Sequence, residues 1–470
     1  MEVGNSNRAT DKPNIVIIGA ASASFGPATL SSLAQTPALH GSKVILVDLN
    51  ERALPVMEQL GRRLSDTWGA GLSLHATTDL HIALPSADFV IVATEVPPRE
   101  FLWRQDWEIP RRHGLRQPYA ENGGPGGMIH AFRQIPPILS IAKSMERLCP
   151  TALIINFSNP LPRVMRAITK YTRIGVVGKC HQIDFGYGLA AFLLSEELGY
   201  KIPPSINDHS TGESVLPLSE LAQTGRRHFR ITAVGLNHFT WIVDICQRET
   251  GSSLYPALRR AAARAPRDLE PLSMELFRLF GLCPVPGDSH LCEYLPWTHD
   301  QQAKPWQRYD LQLYDWAGGE AHRAELWQRI VSMSKDESAL EMLRTLPSEG
   351  AAEIIAAITT NQPMLDEAVN LTNGSAIAGL AADTIVELPA VISASGFQPQ
   401  PLPTLPDPIL ELLRREAALV ELVVDAAVQG DRGLALQALL LDPMVNDIER
   451  AKSILQDYLK TNADYLPQFH

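Results

Sequence analysis

Chemistry is first suggested by "VVGKCHQID", residues 176–184, where Cys180 and His181 stand side by side after a short apolar run. A second histidine, His238, falls in "GLNHFTW", between two runs of extended character. A thiolate and an imidazole together suit a divalent first-row metal, and two protein ligands leave positions for substrate oxygens. Each also has a plainer reading. A lone cysteine behaves as a small buried apolar residue, and a lone histidine as a satisfied core group. No local ligand spacing joins Cys180 to His238, so both readings stay open at this level.

Three further stretches hold reactive or polar groups. Asn159, in "NFSNPLPR", is either a turn former before proline or a hydrogen-bonding group for a polyhydroxylated ligand. "PVPGDSHLCEYLPW" gathers Asp288, His290, Glu293 and Tyr294 into a polar loop, where each is a candidate base or simply a turn residue. "YAENGGPGGMIHAFRQIP", residues 119–136, places four glycines and a proline over five positions. It is expected to be a loop with outward-facing backbone N–H groups.

The first apolar run leads into "GAASASFGPATL". A dinucleotide fingerprint would read G-x-G-x-x-G. Here Gly19 has its place, Ala21 and Ser24 stand where the second and third glycines would be, and Gly26 follows. Small residues still let the backbone approach a pyrophosphate at a helix N-terminus. Asp48 closes the second apolar run, where a carboxylate binds both hydroxyls of an adenosine ribose and repels a 2′-phosphate. An NAD site is therefore expected on Gly19, Ala21, Ser22, Ser24, Phe25, Asp48 and Asn50. The bland alternative is a tight turn followed by a surface aspartate.

These groups need elements to hold them. "NIVIIGA", "KVILVDLN", "LSLHAT", "DFVIVAT", "ALIINFS" and "IGVVGKC" are apolar, β-branched runs separated by helical stretches. Such alternation predicts a parallel sheet covered on both faces, an α/β doubly wound sheet of Rossmann type. Asn159, Cys180 and His181 would then lie at its carboxyl edge, where ligands bind in such folds. Beyond residue 196 the rhythm changes. "RHFRITAVGLNHFTWIVDI" reads as two extended segments around a polar turn, with helices over 258–280 and from 409 onward. A Pro-rich loop is expected over 396–408. The division expected is a cofactor domain over 12–195 and an α+β domain over 196–470, the latter carrying substrate, metal and oligomer contacts.

Composition narrows the class. At 470 residues more than one structural unit is expected. A net charge of −11 argues against nucleic acid or an anionic membrane as partner. The N-terminal stretch is polar and lacks a secretory core, and no run approaches the roughly 18 apolar residues of a spanning helix. Five cysteines without C-x-x-C spacing make neither a disulfide framework nor a structural zinc site. A cytoplasmic protein is the expectation.

Taken as an ordered set, "IVIIGAASASF", "ILVDLN", "GGPGGMIHAFRQIP", "NFSNP", "GKCHQ", "GLNHFTW", "DSHLCEY" and "GLAADTIVELPAVI" resemble glycoside hydrolase family 4 over nearly the whole chain. The resemblance implies an NAD- and Mn2+-dependent glycosidase working by oxidation and elimination. NAD+ would take hydride from C3 of the sugar, a base would remove the acidified C2 proton, and the aglycone would leave from C1. Water would then add and NADH return its hydride. The metal, Mn2+ or another divalent ion, would bind through Cys180 and His238. Asn159 matches the family's substrate-binding asparagine, and His181 the position of the leaving-group acid. Asp288 is the expected base, with Tyr294 and His290 in reserve; Asn122 and His290 are expected to face the substrate.

"C-H-Q" stands here where members acting on 6-phosphorylated sugars resemble "C-D", which favours a non-phosphorylated α-glucoside or α-galactoside. The alternatives are an α-glucuronide or α-galacturonide met by Arg111, Arg112 and Arg116, or an NAD-dependent 2-hydroxyacid dehydrogenase needing no metal. A non-enzymatic NAD-binding protein is a third reading. By analogy with the family, a homodimer or homotetramer is expected.

Overall fold

The six apolar runs fold as parallel strands: β1 (Asn14–Ile18), β2 (Lys43–Val47), β3 (Ser73–Thr77), β4 (Phe89–Val92), β5 (Leu153–Asn156) and β6 (Gly175–Gly178). The structure, a computed structural model, describes residues 12–202 and 218–470. Most of the polar N-terminal stretch read for targeting lies outside the described residues. β4 and β5 are buried along their full length. Val90, Ile91, Val92, Ile154 and Ile155 are fully inaccessible, each stabilising the fold by roughly 1.5–3 kcal/mol. Buried runs of this kind have helices on both faces, as the uninterrupted apolar pattern predicts.

The strand order β3-β2-β1-β4-β5-β6 reverses between β1 and β4, which opens the crevice of a doubly wound sheet. The sheet does not end at β6. It continues through β10 (Met364–Thr372), β11 (Ile385–Ser393), β7 (Phe229–Leu236), β8 (Phe239–Gln247) and β9 (Cys283–Pro284), all antiparallel, with β12 (Gly396–Pro399) on β11. β7 and β8 form the hairpin expected around "GLNHFTW". Helix Asp407–Gln429 packs on helices Gly124–Leu148 and Leu161–Tyr171, joining the end of the chain to the first half of the fold.

Several local expectations change. The glycine-rich stretch is no loop: Gly123 caps helix Gly124–Leu148, and the glycines are buried in its first turn. A Cβ on Gly127 would lie 2.2 Å from the Asn122 carbonyl oxygen, and one on Gly126 2.4 Å from the Ala120 Cβ. Close packing, rather than flexibility, requires glycine there. The helical region over 258–280 is two helices, Tyr255–Ala263 and Pro271–Phe280, separated around Pro266 and ended at Gly281. Residues 396–399 are strand β12 before the Pro-rich segment begins. The helix after β2 starts at Leu54, after the Asn50 side chain accepts the Ala53 N–H at 3.2 Å.

Candidate active site

β6 meets the antiparallel half where Gly178 pairs with Asn370 of β10, and Glu387 of β11 pairs with Gly235 of β7. Directly after β6, the buried Lys179 ammonium donates to both Asp366 carboxylate oxygens (2.7 and 2.9 Å) and to the Ala368 carbonyl (2.7 Å). Beside this anchor the Sγ of Cys180 faces Nε2 of His238, 3.5 Å away. His238 occupies the two-residue turn of the β7–β8 hairpin with φ +63°, a left-handed conformation uncommon for residues other than glycine. The His290 ring stands edge-on to His238, with centroids 4.9 Å apart, and packs on Tyr119 at 4.4 Å.

The electrostatics of this cluster suit a cation. Burial, followed by the neighbouring His290 and His181, keeps His238 neutral well below the ordinary imidazole range. Burial, followed by the carboxylates of Glu349 and Glu387, pushes the Cys180 thiol up. A divalent ion would reverse that thiol shift and take the group as thiolate beside a neutral imidazole. Two donors 3.5 Å apart are close enough to share one ion. Among the described residues no group of three or more His, Cys, Asp or Glu converges as a ligand set. The pair therefore fits an ion whose other positions go to small oxygen ligands.

Beneath the pair is a layer of buried polar groups. Glu387 Oε2 accepts from the side-chain amides of Asn237 (2.7 Å) and Asn370 (2.9 Å), and burial raises its pKa. Glu387 Oε1, Asn237 Oδ1, Asn370 Oδ1, His238 Nδ1, Gln182 Oε1 and Glu349 Oε2 are buried without a hydrogen-bond partner. Each such atom costs about 1–3 kcal/mol, so their concentration at one place marks a site for a polar ligand.

His181 is the exposed member, its side chain 64% accessible, and its Nδ1 meets Oε1 of the largely buried Glu349. Asn159, after β5, is half-buried at the same sheet edge. Asn122 is 4% exposed, donates to Glu121 Oε2 at 3.3 Å, and leaves Oδ1 unpartnered. The backbone N–H groups of Tyr119 and Ala120 donate to Glu293 Oε1 (2.7 and 2.8 Å), fixing the loop that carries Tyr119 and Asn122.

Asp288 is placed differently from the expectation for a base. Its carboxylate accepts the N–H groups of Leu272 (2.7 Å) and Ser273 (2.8 Å) and the Ser273 hydroxyl (2.6 Å), and so caps helix Pro271–Phe280. Buried beside Glu270, it is raised in pKa by desolvation, as is Glu270. Tyr294 is buried and stacked on Phe239. Of the loop's candidates, His290 is the one whose ring contacts His238. Burial, followed by His181, lowers its pKa to about 4, so it is neutral near pH 7.

In the turn after β1, Gly19 has φ +84°, and a Cβ there would lie 2.2 Å from the Ala93 carbonyl oxygen, so the turn demands glycine. Asp48 accepts the N–H groups of Ala21 and Asn50, both at 2.9 Å, and is partly exposed. Ser22 closes the turn, its carbonyl accepting from Gly26 at 2.9 Å and its hydroxyl from Phe25 at 3.3 Å. Ser24 is exposed. A small-residue turn with an accessible carboxylate at the end of β2 fits an adenosine ribose and pyrophosphate.

Near the β4 end, a small cavity is lined by Glu95, Arg99, Glu121, His130 and Gln134 among others. Arg99 faces Glu121 (2.9 Å), Glu100 (3.6 Å) and Glu95 (3.8 Å), so its charge is matched inside the protein. The arginines considered for a uronate are also engaged. Arg111 lies over Trp107, Arg112 meets Glu108, and Arg116 lies over Trp306.

Sequence reading passed over Tyr119, Asn237, Glu349, Asn370 and Glu387. For Glu387 a signal existed, a single charge within the apolar run "IVELPAVI". Glu349, in "LPSEGAAE", carries none.

Residues 14–193 match the Family 4 glycosyl hydrolase domain, and residues 233–445 match the Family 4 glycosyl hydrolase C-terminal domain. The chain is 30% identical to an α-glucosidase of Erwinia rhapontici, over 92% of this chain and 94% of that one. It is 26% identical to an α-galactosidase of Bacillus subtilis, over 97% and 99% of the two chains. Among solved structures, the fold is similar to that of a 6-phospho-α-glucosidase from gut microorganisms in complex with NAD and Mn2+. That match has a TM-score of 0.75 and 20% identity, covering 98% of this chain and all of that one, and the likeness at this identity is one of fold.

Proposed function

The chain belongs to glycosyl hydrolase family 4, and from that membership we propose that it hydrolyses a non-phosphorylated α-glycoside, an α-glucoside or α-galactoside, using NAD+ and Mn2+. The observation that carries this reading is the approach of Cys180 Sγ to His238 Nε2, at the sheet edge that also bears Asn159. NAD+ would rest on residues 12–195, at Gly19, Ala21, Ser22, Ser24, Phe25, Asp48 and Asn50, and residues 196–470 would complete the substrate face. When bound, NAD+ supplies the hydride acceptor and the divalent ion supplies the electrophile for the sugar's C2 and C3 oxygens.

The protein's own groups divide the remaining work. Asn159 and Asn122 bind sugar hydroxyls, and the unpartnered Asn122 Oδ1 supports that role. His290, neutral through burial, takes the C2 proton. Asp288, the base expected from the family pattern, instead holds the helix that backs this loop. His181 gives a proton to the departing aglycone oxygen. Arg99 is matched by Glu121, Glu100 and Glu95 inside the protein, which supports a neutral sugar over a uronate or phosphate there.

Among the described residues no helix is long and apolar enough to cross a membrane. A cytoplasmic homodimer or homotetramer is the proposed setting. A panel of α-glucosides, α-galactosides, α-uronides and 6-phosphoglycosides tests the reading, with NAD+ and Mn2+ withheld in turn. Hydrolysis of a neutral α-glycoside that stops without either addition is expected. Steady NADH release from a hydroxy acid, with no glycoside cleaved, would contradict it.

A further inference from the structure

His181 is an exposed ring on the rim of the site, its side chain 64% accessible. Its Nδ1 is met by the carboxylate of Glu349, whose side chain is 8% exposed. Glu349 is itself held from two sides. Gly350, with φ +87°, packs so that an added Cβ would lie 3.4 Å from Lys179 Cε, and Lys179 is anchored by Asp366 and Ala368. The Ser348 hydroxyl accepts the Gly350 N–H at 3.3 Å and donates to Ser32 Oγ at 3.4 Å, on helix Gly26–Gln35 behind the proposed cofactor turn. The carboxylate thus stands on the framework that presents Cys180, and its Oε2 is buried without a partner.

We propose that Glu349 is the positioning residue of His181, the two forming a carboxylate–imidazole dyad that delivers the proton to the leaving aglycone. This rests on the glycosidase reading above. With Nδ1–H directed at Glu349, proton transfer falls to Nε2. As the C1–O bond breaks, its electron pair stays on the aglycone oxygen, which takes the Nε2 proton. The imidazole is left neutral with its remaining proton on Nδ1. Water added later at C1 returns a proton to the dyad and closes the cycle.

A general acid matters most when the leaving group is poor, so leaving-group dependence separates proton delivery from support of the fold. Wild type, Glu349→Ala, Glu349→Gln, Glu349→Asp and His181→Ala are compared with NAD+ and Mn2+ present, on the methyl and p-nitrophenyl α-glycosides of the same sugar. Mn2+ affinity is followed by electron paramagnetic resonance. For Glu349→Ala, kcat is expected to fall at least about tenfold on the methyl glycoside and less than about threefold on the p-nitrophenyl glycoside. Part of the loss is recovered in Glu349→Asp, and Mn2+ affinity is unchanged. His181→Ala shows the same split, which keeps the test decisive if Glu349→Ala fails to fold. Equal losses on both glycosides, no loss on either, or loss of Mn2+ binding in Glu349→Gln would overturn the dyad while leaving the glycosidase reading in place. If wild type cleaves no glycoside of the wider panel, the glycosidase reading falls and the dyad with it.

Discussion

Cys180 and His238 are 58 residues apart in the chain and 3.5 Å apart at the site, a meeting that no residue spacing encodes. Their types suit metal ligation on chemistry alone, because thiolate and imidazole are distinctive donors wherever they stand. What was not legible is direction. "GDSHLCEY" offers Asp288, His290 and Tyr294 within seven positions, and side-chain direction there depends on the turn of a four-residue helix, Asp288–Leu291. That turn sends the Asp288 carboxylate to the N-terminus of Pro271–Phe280 and brings the His290 ring to His238. Two variants separate the roles. His290→Ala should lower solvent exchange at sugar C2 by about a hundredfold or more, with thermal stability kept. Asp288→Ala should lose a helix cap, about 0.5–2 kcal/mol by denaturant titration, with C2 exchange retained. The reverse pattern would return the base to Asp288.

At the scale of elements, the six parallel strands were readable because each is an uninterrupted apolar run and needs no partner to announce it. The glycine-rich stretch misled because glycine serves two purposes, freeing the backbone and letting elements touch. In helix Gly124–Leu148 it does the second, with Gly126 against Ala120 and Gly127 against Asn122. Because the Gly127 neighbour is backbone rather than a movable side chain, Gly127→Ala should destabilise the protein by about 1–3 kcal/mol. It should also displace Asn122, raising KM more than it lowers kcat. Calorimetry with steady-state kinetics checks both, and an unchanged melting temperature would show that the turn has room. Glu349 belongs to this scale as well. The packing of Gly350 near Lys179 and the Ser348–Ser32 hydrogen bond hold its carboxylate at His181, and the sequence holds no trace of those contacts.

Across the whole molecule, one sheet runs from the turn after β1 to the Cys180–His238 pair. The join between β6 and β10 unites strands far apart in the chain, beyond the reach of local pattern. Burying so many ionisable groups around this sheet makes stability depend on pH. Burial raises Glu293 to about 8 and Asp442 to about 7, whereas carboxyls in the unfolded chain titrate near 4. Their contribution is full below about pH 4 and is lost as pH rises through 7 and 8. His290 and His299 are lowered to about 4, so theirs is full above about 6.5 and is lost as pH falls toward 4. Between about pH 4 and 6.5 the two trends oppose each other, and above about 6.5 only the carboxyl loss remains, so the melting temperature of the chelator-treated protein should fall between about pH 6.5 and 8. A steady rise to pH 9 would show that the buried carboxyls are not protonated in the fold.

The central claim, that the glycosidic bond is broken by chemistry at C2 and C3 rather than by displacement at C1, is tested most directly by NMR of the sugar released in D2O. With NAD+ and Mn2+ supplied, deuterium at C2 of the product is expected, and no product when either is withheld. Hydrolysis that proceeds without NAD+ and keeps protium at C2 would contradict it.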